Sequence, residues 1–216
     1  MLAETDITVL VLCGGAAARM GGVDKPLQLI AKAGVKLTML DHVIATLPTH
    51  SPLLISANRS IAKYQRRGPV ITDGPEVGSG PLLGILAGLK HAQTEWLLVC
   101  PGDMPFLEQD WHGPIRQAVK QNPKKDPVQG NEQTGEQGGK KTRQLDSAVI
   151  HDGTRLQPLL CLVRTSCAES LQVYLQAGGV SVHRWLATLH CAIVSYNNTG
   201  QFLNINTLAE LHDSRA

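Results

Sequence analysis

Aromatic residues are scarce in this chain, only 4% of 216 residues, so a core has to be assembled from Leu, Ile, Val and Ala. The 43% of residues that are hydrophobic supply enough of these, and with only 18% charged the composition is not that of a disordered chain. An excess of one charge sign is also missing, since the formal net charge is +2. No Lys/Arg stripe with interleaved aromatics appears, which excludes a base-stacking nucleic-acid surface and suits a few placed cations. No apolar run approaches the roughly 18–20 residues that a membrane span requires. The first residues carry Glu4 and Asp6 and no basic leader segment. Cysteines are few: Cys13, Cys100, Cys161, Cys167 and Cys191 are odd in number and contain no C-x-x-C pair. A disulfide framework or zinc site is therefore not expected; buried thiols in a reducing, cytoplasmic compartment are.

What is present alternates between two kinds of segment. Ile7-Thr8-Val9-Leu10-Val11-Leu12 is a continuous apolar run ending at a glycine pair, the pattern of a strand buried on both faces in a parallel sheet. Residues 41–47 have helical spacing, 52–58 repeat the strand-then-polar pattern, and 61–67 suit a short helix. Residues 69–73 form a third strand closed by Asp73-Gly74-Pro75, residues 80–89 are helical, and Trp96-Leu97-Leu98-Val99-Cys100 is a fourth buried strand. Strands alternating with helices indicate an α/β fold with a mainly parallel sheet. Residues 121–144 break the pattern: they are rich in Gln, Gly, Lys, Asn and Pro, and read as a surface excursion within a single domain of residues 1–216. Beyond it, 148–150 and 159–163 read as strands joined through a turn at Asp152-Gly153. Helices are expected at 168–176 and 182–189, a strand at 192–196, and a last helix at 208–212 capped by Thr207.

In open α/β sheets ligands gather beyond the carboxyl ends of the strands. That rule selects Gly14 to Lys25, Ser56 to Asn58, Asp73 and Asp103. Gly14 and Gly15 lack a Cβ, so their backbone can approach a phosphate closely, and the N–H groups of such a turn form an anion-binding concavity. Arg19 can grip phosphate oxygens in a bidentate way and Lys25 offers a compact point charge. Asp103 is the metal candidate, because Mg²⁺ takes hard oxygen ligands, often one or two carboxylates plus phosphates and waters. Taken singly, such residues are more often turn formers, caps or surface charges; their convergence after buried strands carries the reading. The P-loop pattern is absent, since Lys25 is followed by Pro26, and Gly14-Gly15-Ala16-Ala17 has the wrong spacing for a dinucleotide loop. The eight histidines show no metal-ligand spacing.

Leu12-Cys13-Gly14-Gly15 followed by Arg19-Met20-Gly21-Gly22-Val23-Asp24-Lys25 resembles the L-A-G-G-x-x-x-R-M-G-G-x-D-K signature of molybdenum cofactor guanylyltransferases. The resemblance continues through Ser56-Ala57-Asn58-Arg59, Val70-Ile71-Thr72-Asp73, Gly80-Pro81-Leu82-Leu83-Gly84, Cys100-Pro101-Gly102-Asp103 and Asn204-Ile205-Asn206-Thr207. It implies a Rossmann-like three-layer nucleotidyltransferase fold. The implied reaction is GTP plus molybdopterin giving the guanine dinucleotide cofactor and pyrophosphate, with Mg²⁺ (or Mn²⁺) held by Asp103. By the same resemblance Arg19 and Lys25 stabilise developing charge, while Leu12, Cys13, Gly14, Lys25 and Asp73 meet GTP. Asn204 and Asn206 fall on the pterin side. Molybdenum-insertion proteins and molybdoenzyme chaperones are the implied protein partners.

This chain departs from that pattern in several places. Ser56 stands where Asn is usual, weakening one nucleotide contact, and Leu83 replaces an Ala, with crowding expected at a close approach. Gly179-Val180-Ser181-Val182 lacks an arginine expected near the second substrate, and extra residues occur at 32–38 and 121–144. Two other readings stay open: a nucleotidyltransferase of cytidylyl or sugar-phosphate type, and a non-catalytic GTP-binding regulator.

Overall fold

A computed structural model describes residues 1–14, 24–32, 34–74, 80–121, 144–196 and 200–202 of the chain. Its centre is the first apolar run, β1 (Ile7–Leu12), in which all six residues are buried. The two faces of this strand feed different layers. Ile7, Val9 and Val11 pack with Leu40 and Val43 of α1 (Met39–Ile44), Tyr64 of α2 (Ile61–Tyr64) and Ile115 of α4 (Gly113–Lys120). Leu10 and Leu12 pack with α3 (Pro81–His91), α5 (Ala168–Gln176) and α6 (Val182–Leu186) on the other face. A strand covered on both sides has no polar face to show, which is why the run is uninterrupted. Each fully buried Leu, Ile or Val contributes about 1.5–3 kcal/mol of burial free energy.

The remaining strands of the main sheet are β4 (Leu53–Ser56), β5 (Val70–Ile71), β6 (Trp96–Pro101), β7 (Ser147–His151), β8 (Leu156–Arg164) and β9 (Cys191–Ser195). Their order is β5-β4-β1-β6-β8-β7-β9. Strands β5, β4, β1 and β6 run parallel, β8 is antiparallel to both its neighbours, and β9 is again parallel to β7. The sheet is therefore mixed and mainly parallel. It has helices on both faces, the α/β three-layer arrangement expected. The chain leaves β1 toward β4 on one side, while the path after β6 goes to the other, so a crevice opens at the carboxyl ends of β1 and β6.

The turn expected at Asp152-Gly153 joins β7 to β8: Asp152 Oδ1 accepts from the Thr154 and Arg155 amides at 2.7 and 2.8 Å, and Gly153 takes φ +92°. Two elements were not anticipated. The extra residues at 32–38 belong to a small antiparallel pair, β2 (Leu29–Lys32) and β3 (Val35–Thr38), in which only Ile30 is fully buried, so hardly any apolar alternation marks it. Helix α4 starts on Gly113-Pro114 and turns Ile115, Ala118 and Val119 to the core; these recur at helical spacing, so its period is present in the sequence although it spans barely two turns. Helix α6 stops at Leu186, short of the expected 189, and α1 begins two residues earlier than expected because Thr38 caps it, accepting from the Asp41 amide. Most of the 121–144 excursion and the expected helix at 208–212 lie outside the described residues.

Candidate active site

The strand ends are tied together beyond the ladders proper. Cys13 N–H donates to the Ser56 carbonyl at 2.8 Å, Ala57 N–H to Ile71 at 3.0 Å, and Gly102 N–H to Leu12 at 2.9 Å. These bonds fix the departure of four successive chain segments from one edge. A cleft of about 440 Å³ lies there, lined by Leu12, Cys13, Gly14, Ser56 and Asp73, together with Asp24, Asn58, Arg59, Gly80, Pro81 and Gly84. Five of the residues expected in a nucleotide site therefore share one cavity, of a size suited to a small-molecule ligand.

Two glycines allow the packing. At Gly84 an added Cβ would lie 2.5 Å from Ser56 Oγ and 2.9 Å from Leu12 Cδ2, so α3 reaches the strand ends only because no side chain intervenes. At Gly102 it would lie 2.8 Å from Cys13 Sγ and 3.4 Å from the Leu12 carbonyl. The turn that carries Asp103 is thereby brought against the end of β1. Leu83, expected to crowd a close approach, instead points into the apolar layer between α3 and the sheet and is not among the residues lining the cleft.

Lys25 sits on a 3₁₀ turn, Lys25–Leu27, whose Pro26 is buried. Its Nζ lies 3.5 Å from Asp103 Oδ2, and both side chains are about three-quarters buried, at 22% and 24% exposure. Burial lifts the Asp103 carboxyl above the ordinary Asp range, and the Lys25 ammonium only partly offsets this. Burial also raises the Cys13 thiol well above its usual value, reinforced by Cys100, Asp24 and Asp103. Cys13 is thus a neutral wall of the cleft and not a thiolate nucleophile. Among the described residues no three His, Cys, Asp or Glu side chains converge as a metal cage. Asp103 offers a single hard oxygen donor, which fits a Mg²⁺ whose remaining ligands are phosphate oxygens and waters.

Gly15, Arg19, Asn204 and Asn206 lie outside the described residues. Three residues received no individual role from sequence and belong to the same constellation. Asn58 Nδ2 donates to Asp73 Oδ2 at 2.6 Å while its Oδ1 accepts from the Asp73 amide at 3.0 Å, which orients the carboxylate of Asp73. Asp24 lines the cleft and accepts from the hydroxyl of Tyr64 at 2.6 Å. Asn58 and Asp24 stand inside the motifs at 56–59 and 19–25, but nothing local to them shows what they bond. Tyr64 is separated from Asp24 by 40 positions and carries no sequence signal at all.

The family model for the MobA-like NTP transferase domain matches residues 9–192. The molybdenum cofactor guanylyltransferase of Cupriavidus pinatubonensis is 38% identical over 219 aligned residues, covering 100% of both chains. That of Ralstonia pickettii is 36% identical, covering 98% of this chain and 97% of its own. Among solved structures, molybdopterin-guanine dinucleotide biosynthesis protein A from Archaeoglobus fulgidus superposes with a TM-score of 0.65 at 21% identity, covering 96% of each chain. The 4-diphosphocytidyl-2C-methyl-D-erythritol synthase of Anaerococcus prevotii superposes with 0.64 at 10% identity, covering 99% and 98%. At such identities the structural likeness establishes the shared nucleotidyltransferase fold.

Proposed function

This chain belongs to the MobA-like NTP transferase family, and from that premise we propose that it transfers GMP from GTP to molybdenum-bound molybdopterin, releasing pyrophosphate. The observation that carries the proposal is the Lys25–Asp103 pair beside a cleft lined by Leu12, Cys13, Gly14, Ser56 and Asp73. Full-length relatives named for guanylyl transfer to the molybdenum cofactor support the choice of nucleotide and acceptor. We read residues 1–216 as one nucleotidyltransferase domain, and the five free thiols suit a reducing, cytoplasmic setting.

On this reading the backbone of Cys13, Gly14 and Gly15 cradles the phosphates, with Ser56 and Asp73 on the nucleoside side. A phosphate oxygen of the pterin attacks the α-phosphorus of GTP, the α–β P–O bond breaks, and pyrophosphate leaves with the bond's electron pair. Lys25 and Arg19 offset the charge that builds on the bridging and leaving oxygens. Asp103 would hold Mg²⁺, with Mn²⁺ as a substitute; the ion neutralises triphosphate charge when bound. Asn204 and Asn206 are assigned to the acceptor. Protein partners on this reading are those that insert molybdenum and those that receive the finished cofactor.

The test is to incubate the protein with Mg²⁺, molybdopterin and each nucleoside triphosphate in turn and measure pyrophosphate. Release with GTP alone is expected. Release with CTP and not GTP would replace guanylyl by cytidylyl transfer, and tight GTP binding without turnover would make the chain a regulator.

A further inference from the structure

The buried hydroxyl of Tyr64 is used by none of the roles given above. Tyr64 is the last residue of α2 and is 0% exposed, with its ring in the apolar layer beneath β1 and β4. Its hydroxyl reaches Asp24 Oδ1 at 2.6 Å, the length of a charge-assisted bond. The same hydroxyl adjoins the Cys13 thiol, and burial with these neighbours holds its pKa far above the ordinary tyrosine value, so it stays a donor across the working pH range.

Asp24 is pinned at its other end too. Its carbonyl accepts from the Leu27 amide and from Gln28 Nε2, each at 3.2 Å, which closes the 3₁₀ turn bearing Lys25. The residue is the N-cap of that turn yet makes no side-chain cap bond, because its carboxylate is turned to Tyr64 instead. Tyr64, Asp24 and Lys25 thus form a continuous path from the core to the cation that faces Asp103.

We propose that Tyr64 is a positioning residue for the nucleotide site: by holding the Asp24 carboxylate it fixes where the Lys25 stem leaves the backbone and aims the ammonium at a bound triphosphate. This rests on the reading above that Lys25 contacts the triphosphate. Tyr64→Phe keeps the buried ring and deletes only the donor, leaving Asp24 to find another partner and the turn to shift with it.

The experiment measures the dissociation constant of a fluorescent GTP analogue with Mg²⁺ and the urea midpoint for the full chain and its variants. Tyr64→Phe is expected to lower the midpoint, because the deleted hydrogen bond is internal to the fold, and also to weaken binding about 10-fold as the turn bearing Lys25 shifts. Asp24→Ala is expected to weaken binding to a similar extent, and Tyr64→Phe should add nothing in that background. A purely structural tyrosine would lower the midpoint and leave the dissociation constant unchanged, which overturns the proposal. So would two losses that simply add, or an Asp24→Ala variant that binds normally, the latter serving also if Tyr64→Phe folds poorly. A wild-type chain that binds GTP without transferring GMP, with binding still lost in Tyr64→Phe, overturns the proposed reaction and supports this inference. A wild-type chain that binds no nucleoside triphosphate overturns both.

Discussion

Asp103 is held where it is useful, and at a cost to the fold. Its pKa in the folded chain is raised, chiefly by burial, so the folded state binds a proton more tightly than the unfolded state does. Stability from this group is therefore complete below the ordinary Asp value and falls as pH rises toward the raised one; at neutral pH the penalty of an ionised, buried carboxylate is in place. Asp103→Asn removes the charge and keeps the shape. Its urea midpoint at pH 7 should equal or exceed that of the wild type, while pyrophosphate release falls on the order of 100-fold or more, as it also should in Asp103→Ala. A variant that is active and destabilised would place the metal elsewhere. Gly102→Ala acts on the same carboxylate from behind. The added methyl meets Cys13 Sγ at 2.8 Å and must push the Asp103 turn away from β1, so a drop of about 10-fold or more in kcat with a normal fold is expected in steady-state assays. Lys25 and Asp103 were legible in the sequence because each follows a strand or a glycine motif that announces its place. Asn58 lies in a strand-end stretch that the same rule selects, but its bonds to Asp73, like that of Tyr64 to Asp24, were not legible, since they depend on strand register and helix placement.

Helices α1 and α3 show how the elements are held around the site. Arg67, just beyond α2, grips Asp41 of α1 with two bonds, Nε to Oδ1 at 2.6 Å and Nη2 to Oδ2 at 2.8 Å, and Thr38 Oγ1 donates to the same carboxylate. Arg67 first, then Thr38, brings the Asp41 pKa below the ordinary value despite partial burial. The stabilisation is thus fully present above the unfolded Asp value and is lost as pH falls through the lowered one. Both partners are partly exposed, so the pair contributes about 1–2 kcal/mol after solvent screening. In Asp41→Asn, acid titration of the urea midpoint should lose the corresponding part of its slope, with the neutral-pH midpoint reduced. Helix α3 is seated differently. A Cβ on Gly88 would lie 2.5 Å from Leu10 Cδ2 and 3.1 Å from Leu97 Cδ2, both on fully buried side chains of the central strands. An exposed helical Gly→Ala change gains about 1 kcal/mol, but here the overpacking term of about 1–3 kcal/mol opposes it. Denaturation of Gly88→Ala should show net loss of stability; a gain would mean that α3 can lift off the sheet freely. The sequence announced α3 as an apolar helical stretch, and α4 carried the Ile115, Ala118, Val119 recurrence over barely two turns, whereas the β2–β3 pair, in which only Ile30 is fully buried, had no period to read.

At the scale of the whole molecule, the central parallel strands β1 and β6 were legible because a strand buried on both faces writes itself as an unbroken apolar run. The reversed strand β8 was expected only through the Asp152-Gly153 turn, and its insertion between β6 and β7 is a tertiary choice no local pattern encodes. That insertion makes one continuous sheet of residues drawn from both sides of the 121–144 excursion, and its thiols report whether the sheet opens as one unit. Cys100 on β6 and Cys161 on β8 are both 0% exposed, and they belong to opposite apolar layers. Burial raises both thiols far above the ordinary range, so alkylation at neutral pH requires an opening that admits water. Adjacent central strands open together if the sheet is one cooperative unit, so these two cysteines should be labelled at rates reporting the same opening free energy, close to that of global unfolding. Cys191, partly exposed on edge strand β9, should react faster through local fraying. Mass spectrometry of a timed alkylation resolves the sites. Matched protection of Cys100 and Cys161, falling in parallel as urea is added, would bind the two halves of the chain into a single folding domain. Cys161 reacting well ahead of Cys100 would instead mean that β7, β8 and β9 open as a separate unit, leaving the parallel half with its nucleotide cleft intact.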